Sequence, residues 1–180
     1  MKLKNTLLVA GLAAGALLFL KSGSSIPKGA VAVKPFDKEK YLGKWYEIAR
    51  FDFRFERNLD NTTADYSLNK DGTIRVVNRG YNYLTGKWAE ATGRAKLAGD
   101  RDEAKLKVSF FGPFYGAYNV IALDSEYKYA LVAGRNLKYL WILSRTTTIP
   151  DEVKSRYLKT AEDIGYKTSD LIWVKHDKTP

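Results

Sequence analysis

The 180-residue chain contains no cysteine. Disulfide frameworks, thiolate metal sites, cysteine nucleophiles and a cysteine-borne lipid anchor are therefore closed to it. Histidine is nearly as scarce. The single copy, His176, lies four residues from the C-terminus, so imidazole acid–base or metal chemistry would have to run from a terminal tail. Long apolar runs are missing too. The nearest to one is the uncharged run of fifteen residues from Thr6 to Leu20, which as a helix would cover about 22 Å against a hydrocarbon core of about 30 Å.

That one run sits behind Lys2 and Lys4 and ahead of Lys21 and the Ser22-Gly23-Ser24-Ser25 stretch. A basic start, a short apolar middle and a small-residue exit are the pattern of an export signal. Leu18-Phe19-Leu20-Lys21 is a poor cleavage box, so an uncleaved N-terminal anchor stays open beside a removed signal. The expected organisation is a targeting segment over 1–28 and one domain over 29–180. The formal charge of +10 shrinks accordingly. Taking away the four lysines before Gly29 leaves twenty-six bases against twenty acids, a moderate excess interspersed with acids. That favours a solvated exterior over a nucleic-acid face.

From Tyr41 onward short β-type runs alternate with turn signals, the pattern of an all-β sandwich or barrel. Eight strands are expected: Gly43–Phe51, Asn61–Leu68, Ile74–Tyr81, Lys87–Ala98, Ala104–Phe110, Ala117–Leu123, Tyr129–Gly134 and Tyr139–Thr146. Turn residues such as Asn69-Lys70-Asp71-Gly72, Gly99-Asp100 and Gly112-Pro113 separate them. The period then changes. Val153, Tyr157, Leu158, Ala161 and Ile164 recur at helical spacing between Pro150-Asp151-Glu152 and Gly165. A last run, Leu171 to Val174, would add an edge strand. Eight antiparallel strands with tight turns close into an up-and-down barrel with room for one small ligand, and the C-terminal α-helix packs outside.

Gly43-Lys44-Trp45 opens the first strand, Asp124 to Ala130 forms an Asp–Tyr turn between the sixth and seventh strands, and Ser144-Arg145 ends the eighth. In that order and spacing the three resemble the lipocalin signatures, with Gly43, Trp45, Asp124 and Arg145 as structural residues. Trp45–Phe51, Val108–Gly116 and Trp141–Thr146 resemble more narrowly the bacterial lipocalins related to apolipoprotein D. The resemblance implies an exported envelope protein, facing the periplasm or associated with the outer membrane, that stores or carries fatty acids or lysophospholipids. It also leaves a homodimer open. Those relatives often carry a lipid-modified cysteine after the signal, which this chain lacks.

With Trp45 taken as inward on the family pattern, strand alternation sends Glu47, Ala49 and Phe51 inward. Registers carried over from the resemblance point Ala64, Tyr66, Val76, Asn78, Val108, Phe110, Tyr118, Val120, Val132, Trp141 and Leu143 into the cup. The set is apolar with sparse polar groups, which suits a small-molecule pocket; a barrel filled by its own aromatics, binding a partner through its rim, is the alternative. Loops at the mouth interleave rings and bases: Phe53, Arg54, Phe55 and Arg57, then Lys87 and Trp88, Phe114 and Tyr115, Arg135 and Lys138. Such a rim suits a membrane surface and anionic head groups. Arg145 is expected to stack beneath Trp45. Glu47 is the one acid expected on the inner face, and acid catalysis needs a second group beside it. The expected function is lipid binding, without catalysis, a cofactor, a metal site or a nucleic-acid partner.

Overall fold

In the computed structural model, which describes residues 25–179, eight antiparallel strands close on themselves. They are β1 (Gly43–Phe51), β2 (Leu59–Leu68), β3 (Ile74–Asn82), β4 (Lys87–Leu97), β5 (Lys105–Phe111), β6 (Phe114–Leu123), β7 (Tyr129–Ala133) and β8 (Leu140–Ser144). Each pairs with the next, and β8 returns to β1. A four-residue helix, α1 (Lys38–Tyr41), precedes the barrel, and α2 (Asp151–Ile164) and β9 (Leu171–Trp173) follow it. Expected and observed strands agree to within a few residues at each end. The expectation of an export segment falls for the most part outside the described residues. Ser25 and Pro27, ahead of the expected domain start, already pack on the barrel: the Ser25 carbonyl accepts from Asn119 Nδ2 at 2.9 Å, and Pro27 is buried.

Alternation along the strands divides the core in two. Phe36, Tyr41, Trp45, Tyr66, Val76, Ala95, Leu106, Val120, Val132 and Leu143 fill the lower barrel interior. Ile48, Ala49, Leu131, Ala133, Leu140 and Ile142 face outward, where Tyr157 and Ala161 of α2 cover them. That helix ends where Gly165 takes φ 106°, and its backbone N–H bonds the Ala161 and Glu162 carbonyls. Glycine is suited to the left-handed cap.

The closed end is tied by Arg145. Its guanidinium donates to the carbonyls of Lys40, Leu42, Lys44 and Tyr127, at 2.8–3.1 Å, so α1, the start of β1 and the β6–β7 turn meet on one side chain. Asp124 fixes that turn by accepting from the backbone N–H groups of Glu126, Lys128 and Tyr129. Gly43 has φ 92°, and a Cβ there would stand 3.4 Å from Arg145 Nη1.

β1 and β2 pair only over Gly43 to Tyr46 and then part. β9 enters the gap from outside, pairing with Ala49 to Phe51. The chain continues along it: Val174 N–H donates to the Ile48 carbonyl at 3.0 Å, and Asn61 N–H to the Lys175 carbonyl at 2.8 Å. Asn61 Oδ1 then accepts from the Asp177 and Lys178 N–H groups, each at 2.8 Å. The expected edge strand is thus a wedge that closes the wall.

Candidate functional site

Above the packed floor the barrel holds a cavity of about 200 Å³ that reaches the β1–β2 and β7–β8 connections, at the end of the barrel they share with the β3–β4 and β5–β6 connections. The filled-barrel alternative does not hold. Its walls are Ala64 and Tyr66 from β2, Val76 and Asn78 from β3, Ala91 from β4, Val108 and Phe110 from β5, Tyr118 from β6, and Trp141 and Leu143 from β8. Small residues make the room. A Cβ at Gly93 would lie 2.6 Å from the Ser109 carbonyl and 2.7 Å from the Phe110 ring, so β4 can pass that close only without a side chain.

The inner wall of β1 departs from simple alternation. Its register with β8 shifts between Glu47 and Ala49, an extra residue that reverses which side chains point inward beyond it. Glu47 faces the cavity as expected. Ala49 and Phe51, expected inside, instead join the outer cluster, where Phe51 packs 5.7 Å from the Tyr166 ring. Arg50 takes the inward position and is 1% exposed.

Buried charge is expensive unless paired, and Arg50 is surrounded accordingly. Nη1 donates to Glu47 Oε1 at 2.8 Å, and Nη2 to the Glu56 and Leu59 carbonyls at 2.7 and 2.8 Å. Glu56 Oε2 lies 3.7 Å from Nε. Thr62 Oγ1 donates to Glu47 Oε1 at 3.0 Å, and Trp141 Nε1 to Glu56 Oε2 at 3.2 Å. The cluster laces β1 to β2 from inside at the height where their backbone ladder has parted. Burial, and next the neighbouring Glu47 carboxylate, push the Glu56 carboxyl well above its ordinary range against the pull of Arg50. Alternation offered no second acid beside Glu47. The structure supplies it from the β1–β2 loop, where side-chain periodicity carries no information, and the β-bulge that turns Arg50 inward left no mark in the sequence pattern.

Lower down, Tyr66 donates to the Tyr118 hydroxyl at 3.0 Å, and Tyr118 shares a 2.7 Å bond with Tyr41. Burial raises all three phenols, so they stay neutral at physiological pH. Val120 and Val132, expected in the ligand space, face inward but belong to the packed floor without lining the cavity.

At the mouth, Phe53 and Phe55 fold in and line the cavity with Tyr139 and Arg135. Phe53 makes edge contacts with Tyr139 and Trp141 at 5.8 and 5.6 Å. Arg54, Lys87 and Lys138 are exposed, and Arg57 is exposed while paired with Asp52 at 3.3 Å. Phe114 is half-buried beside Phe111 at the tip of the β5–β6 hairpin. Trp88 and Tyr115 are not at the mouth opening. Trp88 pairs with Tyr81 on the outer face of β3–β4, and Tyr115 lies outside beneath the Lys96 and Lys107 ammonium groups. The apolar side chains most exposed on the mouth loops are Tyr83, Leu84, Phe111 and Leu137, at 53, 70, 59 and 43%.

Residues 36–176 match the sequence model of the family described as a lipocalin-like domain. The outer membrane lipoprotein Blc of Citrobacter freundii is 55% identical over 167 residues, covering 93% of this chain and 94% of that protein. Apolipoprotein D of Rattus norvegicus is 36% identical over 139 residues, 72% of each chain. Among solved structures, insecticyanin from the tobacco hornworm superposes with a TM-score of 0.68 at 22% identity, over 86% of this chain and 87% of that one.

Proposed function

The chain belongs to the lipocalin family, whose barrels bind small hydrophobic ligands, and from that premise we infer that it is a carrier of fatty acids or lysophospholipids in the bacterial envelope. The observation that carries this reading is the apolar cavity open at one end only. It is walled by Val76, Val108, Phe110 and Leu143 and guarded at its entrance by Phe53 and Phe55. Burying an acyl chain there releases roughly 25 cal/mol for each Å² of apolar surface withdrawn from water. Arg54, Lys87, Arg135 and Lys138 stand around the mouth, where they meet a carboxylate or phosphate head. The exposed Leu84, Phe111 and Leu137 among them suit insertion into a bilayer interface while the bases meet anionic lipid. The 55%-identical relative is named an outer membrane lipoprotein, which supports an envelope location. With no cysteine in the sequence to bear a lipid, membrane contact falls to the rim or the N-terminal segment.

The polar groups of the cavity serve positioning. Glu47 and Glu56, the two acids that line it, are held by Arg50, Thr62 and Trp141 in one buried cluster that ties β1 to β2, so carriage without catalysis is the reading favoured. Titration with a fluorescent fatty acid, followed by displacement with a lysophospholipid of equal chain length, tests it. Saturable one-to-one binding of both is expected, and no saturable signal from either would overturn it.

A further inference from the structure

The buried cluster at the top of β1 sets two carboxyl groups against one guanidinium. Arg50 favours the first of them. Its Nη1 donates to Glu47 Oε1 at 2.8 Å, whereas Nε, sealed from water and without a hydrogen bond, stands 3.7 Å from Glu56 Oε2. Thr62 Oγ1 adds a bond to Glu47 at 3.0 Å, and among the described residues the Glu56 carboxyl receives only the Trp141 Nε1 bond at 3.2 Å. With both acids ionised the cluster carries one negative charge in excess, and the charge less well met is that of Glu56. Both acids line the cavity, and they keep 7 and 9% of their surface exposed. The loop that bears Glu56 also bears Phe53 and Phe55 at the entrance.

The titratable groups packed around the pair are few. Asp60 on β2 adds a negative charge near Arg50, and Tyr66 below stays neutral. His176 Nε2 lies 2.9 Å from the Glu47 backbone carbonyl. In the loop itself Arg57 pairs with Asp52. Arg79 lines the cavity while paired with Glu90 at 2.8 Å, and Tyr139 and Arg135 line it from the β7–β8 side. The charges that weigh most on Glu56 are Glu47 and Arg50.

Resting on the reading of the cup as a lipid carrier, we propose that loading is linked to proton uptake: an apolar chain entering the cup draws one proton from solvent onto the Glu47–Glu56 pair, and loss of that proton promotes release. Desolvation disfavours a carboxylate, and a chain in the cup displaces the solvent that still reaches these two groups. The proton goes to Glu56, whose carboxylate becomes a neutral carboxyl while Glu47 stays ionised against Arg50 and Thr62. One O–H bond forms, and no other bond is made or broken. The sign of the linkage is fixed. Cargo raises the proton affinity of the pair, so by reciprocity the protonated pair holds cargo more tightly. Affinity is highest where Glu56 is already protonated in the empty cup, falls as pH rises beyond that point, and levels off once Glu56 is ionised in the loaded cup as well. Burial and the Glu47 carboxylate have already raised Glu56 well above the usual carboxylate range, which moves this window up toward neutral pH.

The experiment is calorimetric titration of the full-length protein with lysophosphatidylcholine, and with the alcohol of equal chain length, from about pH 5 to about pH 9 in buffers of differing ionisation enthalpy. Neither amphiphile titrates over that span, so a pH dependence belongs to the protein. Affinity is expected to fall about tenfold across the series, and the buffer dependence of the heat should report net proton uptake where it falls. Glu56→Gln cannot take up the proton, so its affinity should be flat in pH with no uptake. Glu47→Gln leaves Glu56 alone with Arg50 and should move the fall to lower pH. Both variants retain His176, which separates its titration from that of the pair. Circular dichroism verifies folding, and if neither variant folds, proton uptake by the unaltered protein decides alone. Affinity independent of pH without proton uptake overturns the proposal and leaves the carrier reading standing, as does a fall that survives in folded Glu56→Gln. Failure of both amphiphiles to bind overturns the proposal, and failure of a fatty acid as well overturns the carrier reading with it.

Discussion

The Arg145 guanidinium carbon sits 3.9 Å from the centre of the Trp45 ring, and the indole beneath it is wholly buried. Trp45 Nε1 meanwhile donates to the Tyr41 carbonyl at 2.9 Å. One stacked pair therefore holds the floor of the barrel, with the cation supplying both the ring contact and four bonds to carbonyls of separate segments. A planar, always charged fork can do this and an ammonium cannot.

Arg145→Lys should accordingly destabilise the fold despite keeping the charge. Loss of the stack and of most of the carbonyl bonds predicts a cost of about 2–4 kcal/mol, read as a lower urea midpoint. A midpoint within error of the unaltered protein would show that the floor is held by packing alone.

The buried cluster behind the mouth predicts a pH effect whose sign follows from Glu56. Its carboxyl is raised in the folded protein above the value of 4.5 it has when unfolded, by burial first and Glu47 next, with Arg50 and Trp141 opposing. Its contribution to stability is therefore fully present below about pH 4.5 and is lost as pH rises through the folded value. Glu56→Gln cannot titrate. Relative to the unaltered protein it should gain stability progressively above that pH and show no relative gain below it, measured as unfolding free energy at a series of pH values. Arg50→Met should act in the opposite sense, costing about 3–5 kcal/mol at neutral pH because it leaves the buried Glu47–Glu56 cluster without its cation.

The two charged partners also mark where sequence reasoning stopped. Strand positions, turns and the helix face were legible because period and punctuation encode them. The Trp45–Arg145 pair and the inward set on β2, β3, β5 and β8 were legible only with the registers that the family resemblance supplied. Ala49, Phe51 and Arg50 were not, because a single inserted residue in β1 reverses the alternation, and no residue type announces a bulge. Glu56 was hidden in a loop. The rim was legible in composition but not in detail. Phe53 and Phe55 turned inward because the cavity gives them apolar surface to cover, leaving Leu84, Phe111 and Leu137 to face outward.

Membrane contact should therefore depend on those three residues more than on the inward rings. Leu84→Ser, Phe111→Ser and Leu137→Ser together should reduce partition onto anionic vesicles about tenfold or more, while acyl binding in detergent-free buffer persists. Co-sedimentation with vesicles measures it. Raised salt should weaken the same association through the exposed Arg54, Lys87 and Lys138. Unaltered partition of the triple variant would remove the rim from the mechanism.

Gly93 offers a test of the cavity wall. Gly93→Ala drives a methyl into the Ser109 carbonyl and the Phe110 ring, a small-to-large change with an expected cost of about 1–3 kcal/mol. Because Phe110 lines the cavity, the acyl probe should bind more weakly in the folded variant. Thermal unfolding and probe titration together separate the two effects.

The wedge between β1 and β2 places nearly the last residues of the chain against nearly the first strand. Loop closure on that scale comes late in folding, since its entropy must be spent before the contacts it permits are formed. The seven strands β2 to β8 can pair in succession, each with its neighbour, but the wall stays split until Leu171 to Lys178 are laid into the gap. A molecule clipped before Leu171 would keep the β1–β2 ladder over Gly43 to Tyr46 and lose the strand that fills the gap above it, so its cup should leak cargo that the unclipped protein retains.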